Sequence, residues 1–291
     1  MDHDYERIIY LAEPPLAEPV LVVALEGWID AGDGAGTAIA TLLNECDSEM
    51  VATFDTEYFI DQRARRPMAH IIDGVTSELT WPEIQLRAGH DGDGADLLFL
   101  VGPEPDLHWS DFVDAVTDAA ARFDVRLVVG LGAFPAPAPH TRAIRVIGTA
   151  PKSSAHLLPA VGTMPGEIEV PAGIMAALEL GFADVGVDVV TLWARVPHYV
   201  ASMGYPVAAA ALIDSLARVA GLTLDSGPLR DAANEARQRI DALIANNPEH
   251  RLMVDQLESV VDADEGTTSD ELPSAEELAA ELERFLRGDE S

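Results

Sequence analysis

The sequence predicts an α/β fold on a mostly parallel, mixed sheet, and three observations carry that prediction. Over the first ~220 residues, short apolar runs alternate with helical patterns, the mark of successive βα units. Several of those runs are continuous and β-branched rather than alternating, as strands buried on both faces must be. After about Leu224 the strand-like runs stop, and the chain reads as helix only.

Taken in order, Val20–Leu25 (VLVVAL) is a buried strand that runs into a glycine-rich loop, EGWIDAGDGAG, and then a helix ending near Asn44. Met50–Phe54 is a second strand. In MAHIIDGVTSELTW the pair Asp73-Gly74 separates two β-rich segments, which is a hairpin signal. Leu97–Val101, Arg126–Leu131 and Val187–Ala194 repeat the buried-strand pattern, with a weaker one at Ala143–Ile147. Helices are expected at Ser110–Phe123, Pro171–Ala183 and Pro206–Ala220, the last two opening on a proline suited to the first helical turn. This defines a main domain, residues 1–223, and a helical appendage, 224–291. In the appendage, two helices broken at Asn246-Asn247-Pro248 precede an acidic linker, 262–273. Ser274 and Glu277 then make a capping box for a short terminal helix with an apolar stripe at Leu278, Leu282, Phe285 and Leu286.

Composition limits the partners. The 291 residues carry 50 Asp and Glu against 18 Lys and Arg, a net charge of −32, and a single lysine, Lys152. Such a surface repels phosphate backbones and anionic lipid, so neither nucleic acid nor membrane is expected as a partner. Apolar residues make up 48% of the chain, enough for a core, so the charge does not mean disorder. One cysteine, Cys46, excludes an intrachain disulfide. The start, MDHDYER, is acidic where a signal peptide is basic, and a cytoplasmic protein is expected.

In an open α/β sheet, ligands meet the carboxyl ends of the strands. Four strand ends carry the side chains that could do chemistry: Glu26, Trp28, Asp30 and Asp33; Glu104, Asp106, His108 and Trp109; His140, Thr141 and Arg142; Arg195, His198 and Tyr199. His140 and His198 are each either a general acid or base or a structural histidine, the structural role being the commoner. The glycine loop does not suit phosphate. Asp33 stands where a P-loop needs lysine, and Glu26 and Asp30 add negative charge, so a tight turn with close helix packing is the expected role. Asp91, Asp93 and Asp96 imitate an EF-hand start, but position twelve is Gly102 rather than glutamate, and a solvated turn is expected. No metal and no cofactor is expected, the alternative being a carboxylate cation site at Glu26, Asp30 and Asp33. Arg63, Arg65 and Arg66 form the one concentrated positive cluster, suited either to an acidic ligand or to neutralising nearby carboxylates.

The segments EGWIDAGDGAGTA, Arg65–Pro67, DGVTSELTWPE, GPEPDLHW, VVGLGAF, PHTR, PAGI, LWARVPHYV and ELERFLR resemble the PAC2 (proteasome assembly chaperone 2) family of actinobacteria. The resemblance implies a three-layer α/β/α domain similar to the nucleoside phosphorylase/hydrolase-like fold, with a small helical C-terminal part. It also implies self-association as a homo-oligomer, a trimer being favoured, and protein partners related to the proteasome. The hydrophobic-Tyr-X tail with which some relatives dock on proteasomes is replaced here by RGDES. A non-enzymatic protein-binding or assembly factor is the first functional expectation. The alternative is an enzyme or small-molecule binder, a hydrolase or transferase of a polar metabolite, using the strand-end cleft. A third view makes the loops architectural, with Trp28 and Trp109 in subunit contacts.

Overall fold

A computed structural model describes residues 7–266. The strands are β1 (Ile8–Tyr10), β2 (Val20–Glu26), β3 (Glu49–Phe54), β4 (Met68–Ile72), β5 (Val75–Thr80), β6 (Gln85–His90), β7 (Asp96–Pro103), β8 (Leu127–Ala136), β9 (Val146–Thr149) and β10 (Asp188–Pro197). The helices are α1 (Gly34–Glu45), α2 (Thr56–Phe59), α3 (Trp109–Arg122), α4 (Ile174–Val185), α5 (Pro206–Ala220), α6 (Pro228–Ala245) and α7 (Pro248–Gly266). Eight strands form one sheet in the order β1-β3-β6-β7-β2-β8-β10-β9, and β4-β5 is a separate two-stranded hairpin.

The four central strands, β7, β2, β8 and β10, are parallel, so their carboxyl ends share one edge of the sheet. Antiparallel strands flank them on both sides. Because successive side chains point to opposite faces, β2 splits its apolar run between two cores. Val20 and Val22 face the layer that holds Ala38 and Leu42 of α1 and Leu212 and Leu216 of α5. Leu21 and Val23 face Phe112 of α3 and Phe182 of α4. The result is the expected α/β/α sandwich, with helix α6 adding Leu229 and Ile240 to the first layer.

Several boundaries differ from the sequence expectation, each for a local reason. Helix α4 starts at Ile174, not Pro171, because Gly173 is extended and occupies the cap position. The weak strand expected at Ala143–Ile147 forms at Val146–Thr149, as the edge partner of β10. Strands β1 and β6 have no counterpart in the apolar pattern. β1 is three residues long, and β6 (QLRAGH) carries a charge in its middle. The Arg87 charge is tolerated because its guanidinium donates to the Ser48 carbonyl oxygen at 2.6 Å and to the Ser48 hydroxyl at 3.1 Å. Helix α7 continues to Gly266, so the stretch read as an acidic linker begins inside a helix. The rest of that stretch and the helix expected from Ser274 lie outside the described residues.

The EF-hand imitation is a turn, as expected. Asp91 accepts hydrogen bonds from the N–H groups of Asp93, Ala95 and Thr223, and Asp93 accepts one from the Thr223 hydroxyl. These aspartates staple the loop after α5 to the start of β7. Among the described residues no group of three or more His, Cys, Asp or Glu could hold a metal ion, and no helix is long and apolar enough to cross a membrane.

Candidate functional site

All four predicted loops reach the same edge of the sheet, but their side chains form two clusters with separate partners. The first lies beyond β2 and β7. Asp30 is a helix cap: its two carboxylate oxygens accept the N–H groups of Ala35 and Gly36, each at 2.9 Å, at the start of α1. Burial pushes its pKa up, and these backbone donors only partly offset that. Gly32 takes a left-handed conformation (φ 66°), donating its N–H to Ala201 and accepting from Tyr205, both at 2.7 Å. A Cβ there would stand 2.7 Å from the Tyr205 Cβ. The EGWIDAGDGAG loop is therefore a tight strand-to-helix turn locked against the loop before α5.

Glu104 is buried, and one carboxylate oxygen accepts the N–H of Ile174, the first residue of α4. A carboxylate there complements the positive end of the helix dipole. A Cβ on Gly27 or on Gly173 would stand 3.1 Å from a Glu104 oxygen, so these glycines let both backbones close on it. Asp106 accepts the N–H of Asp61 at 3.0 Å and faces Arg65 at 3.4 Å. Arg65 also donates to the carbonyl oxygen of Glu26 at 3.2 Å, so this arginine ties the loop before β4 to the end of β2. Of the two readings of the arginine cluster, Arg65 and Arg63 fit neutralisation of local carboxylates, Arg63 through Asp61. The side chain of Glu26 is exposed, and Trp28 is 57% exposed. Trp109 is half-buried, with its indole N–H donating to the Pro105 carbonyl at 2.7 Å, and His108 stacks on Tyr58.

The second cluster lies beyond β8 and β10, and the C-terminal helices cover it. His140 is 4% exposed. Its Nδ1 is 2.7 Å from the Tyr199 hydroxyl, its Nε2 is 3.0 Å from Asp241 of α6, and its backbone N–H donates to the same hydroxyl at 2.8 Å. One proton arrangement satisfies all three. Nε2–H donates to the Asp241 carboxylate, the Tyr199 O–H donates to Nδ1, and the Tyr199 oxygen accepts the backbone N–H. Beside it the Thr141 hydroxyl donates to Glu258 of α7, and Arg237 of α6 donates to the Thr141 carbonyl at 3.1 Å. The Arg142 guanidinium grips Asp262 with two bonds of 2.8 and 2.7 Å and meets Glu258 at 3.1 Å. His198 is exposed and meets this cluster through a ring contact with Tyr199.

Chemically, this second cluster is a staple. Burial raises the Tyr199 hydroxyl to about 12, the opposite of an activated nucleophile or base. The adjoining cavity, lined by Arg142, Arg145, Arg195 and Tyr205 among others, holds about 20 Å³, room for one water. The carboxylates that complete the cluster, Asp241, Glu258 and Asp262, were not visible in the sequence as site residues, because they come from helices about 100 or more residues downstream of His140. No spacing rule links them. The exposed hairpin β4–β5, by contrast, had a sequence signal: Ile71 and Ile72 are adjacent and apolar, so one must point away from any single core.

The domain is an α/β/α sandwich in which Asp30, Glu104, His140 and Arg142 at the strand ends serve as helix caps and staples. The chain belongs to the PAC2 family, whose model matches residues 24–244. Among solved structures it is similar to a Mycobacterium tuberculosis protein of unknown function, with 35% identity over 89% of this chain and 92% of that one and a TM-score of 0.82. It is also similar to a Mycobacterium tuberculosis proteasome-assembly chaperone homologue, with 33% identity over 81% and 99% and a TM-score of 0.74. The Pyrococcus furiosus archaeal proteasome activator PbaB shares the fold at 17% identity, over 81% and 97%, with a TM-score of 0.62. No curated protein matches the chain.

Proposed function

We propose that this chain is a non-enzymatic protein-binding or assembly factor with a proteasome-related partner, acting in the cytoplasm as a homo-oligomer, a trimer being the favoured state. One observation carries this: the carboxyl edge of the sheet exposes the apolar Trp28 and Leu107 beside the exposed Glu26 and His198, while Asp30, Glu104 and His140 are bonded within the chain. Exposed aromatic and aliphatic groups rimmed by charge suit a protein surface. The likeness to a proteasome-assembly chaperone homologue supports the same reading.

In this reading Glu26, Trp28 and His198 face the partner, whereas Asp30, Glu104, Asp106, His140, Arg142 and Tyr199 shape the loops that present them. The main domain, residues 1–223, carries the surface, and α6 and α7 of the appendage, residues 224–291, clasp it. A metabolite hydrolase or transferase has less support, because His140 is buried and bonded to Tyr199 and Asp241, and the nearby cavity at Arg142 and Tyr205 has room for one water. The test is capture from native cytoplasm with the wild-type chain and with Trp28→Glu/Leu107→Glu. Proteasome subunits are expected with the wild type and are lost with the variant. Recovery of the chain by itself at both low and moderate salt would overturn the proposal.

A further inference from the structure

Strand β1 is the first strand of the main sheet, and β3 is its one strand partner among the described residues. The ladder fixes which of its backbone groups face outward. Arg7 accepts the Asp55 N–H at 2.9 Å, and Leu11 donates to the Val51 carbonyl at 2.8 Å, both on the β3 side. Bonding alternates along an antiparallel pair, so Ile8, next to Arg7, turns its N–H and C=O to the open side. An open edge of this kind is a template for pairing with another chain.

Helix α3 runs beside this edge in the same direction. At one end the Arg7 guanidinium lies 3.3 Å over the Tyr58 ring, whose hydroxyl donates to Asp111 of α3. At the other end Arg122 of α3 lies 4.2 Å over the Tyr10 ring. Between these two stacks β1 and α3 line a groove of about 670 Å³. That volume lies within the roughly 300–1,000 Å³ of ligand-binding clefts.

The groove has negative charge to spare. Its two arginines are engaged, Arg7 by Asp55 at 3.4 Å and Arg122 by Glu13. Asp114 and Asp118 on the α3 wall are exposed and hold no ion pair among the described residues. Four residues apart, they stand one above the other, about 6 Å along the helix axis. Alternate side chains on one face of an extended strand are spaced about 6.6–6.8 Å apart. The two repeats match. Residues 1–6 do not bring the complementary charge, because Asp2, Asp4 and Glu6 have the sign of the wall.

We propose that this groove takes an extended segment of a partner protein as an added strand on β1, with two Lys or Arg side chains at alternate positions meeting Asp114 and Asp118. Main-chain pairing at Ile8 anchors the segment, and the two aspartates set its register. The net charge of −32 draws a basic segment toward the chain, and the groove selects one that is extended. This surface is separate from the strand-end edge at Trp28, and the inference does not rest on the function proposed for that edge.

The probe is a short fluorescein-labelled peptide of alternating arginine and valine, titrated into the full-length chain at physiological ionic strength and read by anisotropy. Saturable one-to-one binding is expected, with slowed amide exchange at Ile8. The same peptide N-methylated at every residue keeps its charge but has no backbone donors, and it should bind at least about tenfold more weakly, the equivalent of ~1.4 kcal/mol. Asp114→Asn/Asp118→Asn should weaken binding of the unmodified peptide by a similar factor, with an unchanged circular dichroism spectrum. Glu235→Gln/Asp255→Asn, exposed on α6 and α7, removes the same charge elsewhere and should leave binding unchanged. Absence of saturable binding, unchanged exchange at Ile8, equal binding of the N-methylated peptide, or equal weakening by the two double variants would each overturn the proposal. Partner capture through Trp28 is read in a separate experiment, so failure of one leaves the other standing.

Discussion

Tyr199→Phe removes one oxygen atom and should cost far more than a surface substitution. That hydroxyl accepts the His140 backbone N–H at 2.8 Å and lies 2.7 Å from the His140 Nδ1. Phenylalanine keeps the ring and the volume but leaves two groups of a 4% exposed residue without partners. Each buried polar group left unsatisfied costs about 1–3 kcal/mol, so a loss of about 2–4 kcal/mol is expected. The other bond of the imidazole ends on Asp241, whose side chain is 54% exposed. Asp241→Asn should therefore cost under about 1 kcal/mol, as exposed pairs do. Equilibrium urea unfolding followed by tryptophan fluorescence and by circular dichroism measures both. In a double-mutant cycle, Tyr199→Phe and His140→Ala should couple by about 1–3 kcal/mol, as residues sharing a hydrogen-bond network do. If Tyr199→Phe changes stability by less than about 0.5 kcal/mol, the size of an ordinary surface substitution, the staple does not stabilise the fold and the reasoning fails.

Arg142→Ala should loosen α7 without unfolding the sheet. Amide exchange is expected to accelerate in residues 248–266 and to stay unchanged in β2 and β8, and uniform protection in the variant would refute the clasp. Stability should also decline at high pH. Burial raises Tyr199 and Tyr205 to about 12 from an ordinary 10.0, so the unfolded chain gives up these protons first. Their contribution is whole below pH 10 and is lost as pH climbs to 12; Tyr199→Phe should flatten that decline, and an unaltered slope would count against it. Cys46 is buried and its thiol is pushed up to about 11, mainly by burial. It should resist a thiol reagent at pH 8 in the native protein and react fully in urea, and rapid native labelling would contradict its placement.

Much of the architecture was legible in the sequence because burial on both faces imposes a local rule. A strand such as β2 must be apolar wherever it is buried, as it is over Val20–Leu25, and that pattern needs no knowledge of its neighbours. Helix α5 was equally plain, since Pro206 opens it and Gly221, left-handed at φ 67°, closes it. Strand β6 was not. Its central Arg87 is acceptable only because the Ser48 carbonyl, 39 residues away in sequence, receives it. The same limit governed the site. The sequence placed Glu26, Asp30, Glu104, His140, Arg142 and Tyr199 at strand ends, since a strand end follows from the strand itself.

What those residues do there was decided by groups that arrive from elsewhere in the chain. Glu104 meets the first N–H of α4, His140 meets Tyr199 and Asp241, and Arg142 meets Glu258 and Asp262. The physical reason is the range of the interactions. Secondary structure and apolar burial follow from side-chain chemistry repeated along a few consecutive residues. A buried hydrogen bond has to be matched within about 3 Å in space, at whatever distance in sequence its partner lies. By itself the sequence determined an α/β sheet with chemistry-bearing residues along one edge. Only the tertiary structure made caps and staples of Asp30, Glu104, His140 and Arg142 and left the β4–β5 hairpin outside the main sheet.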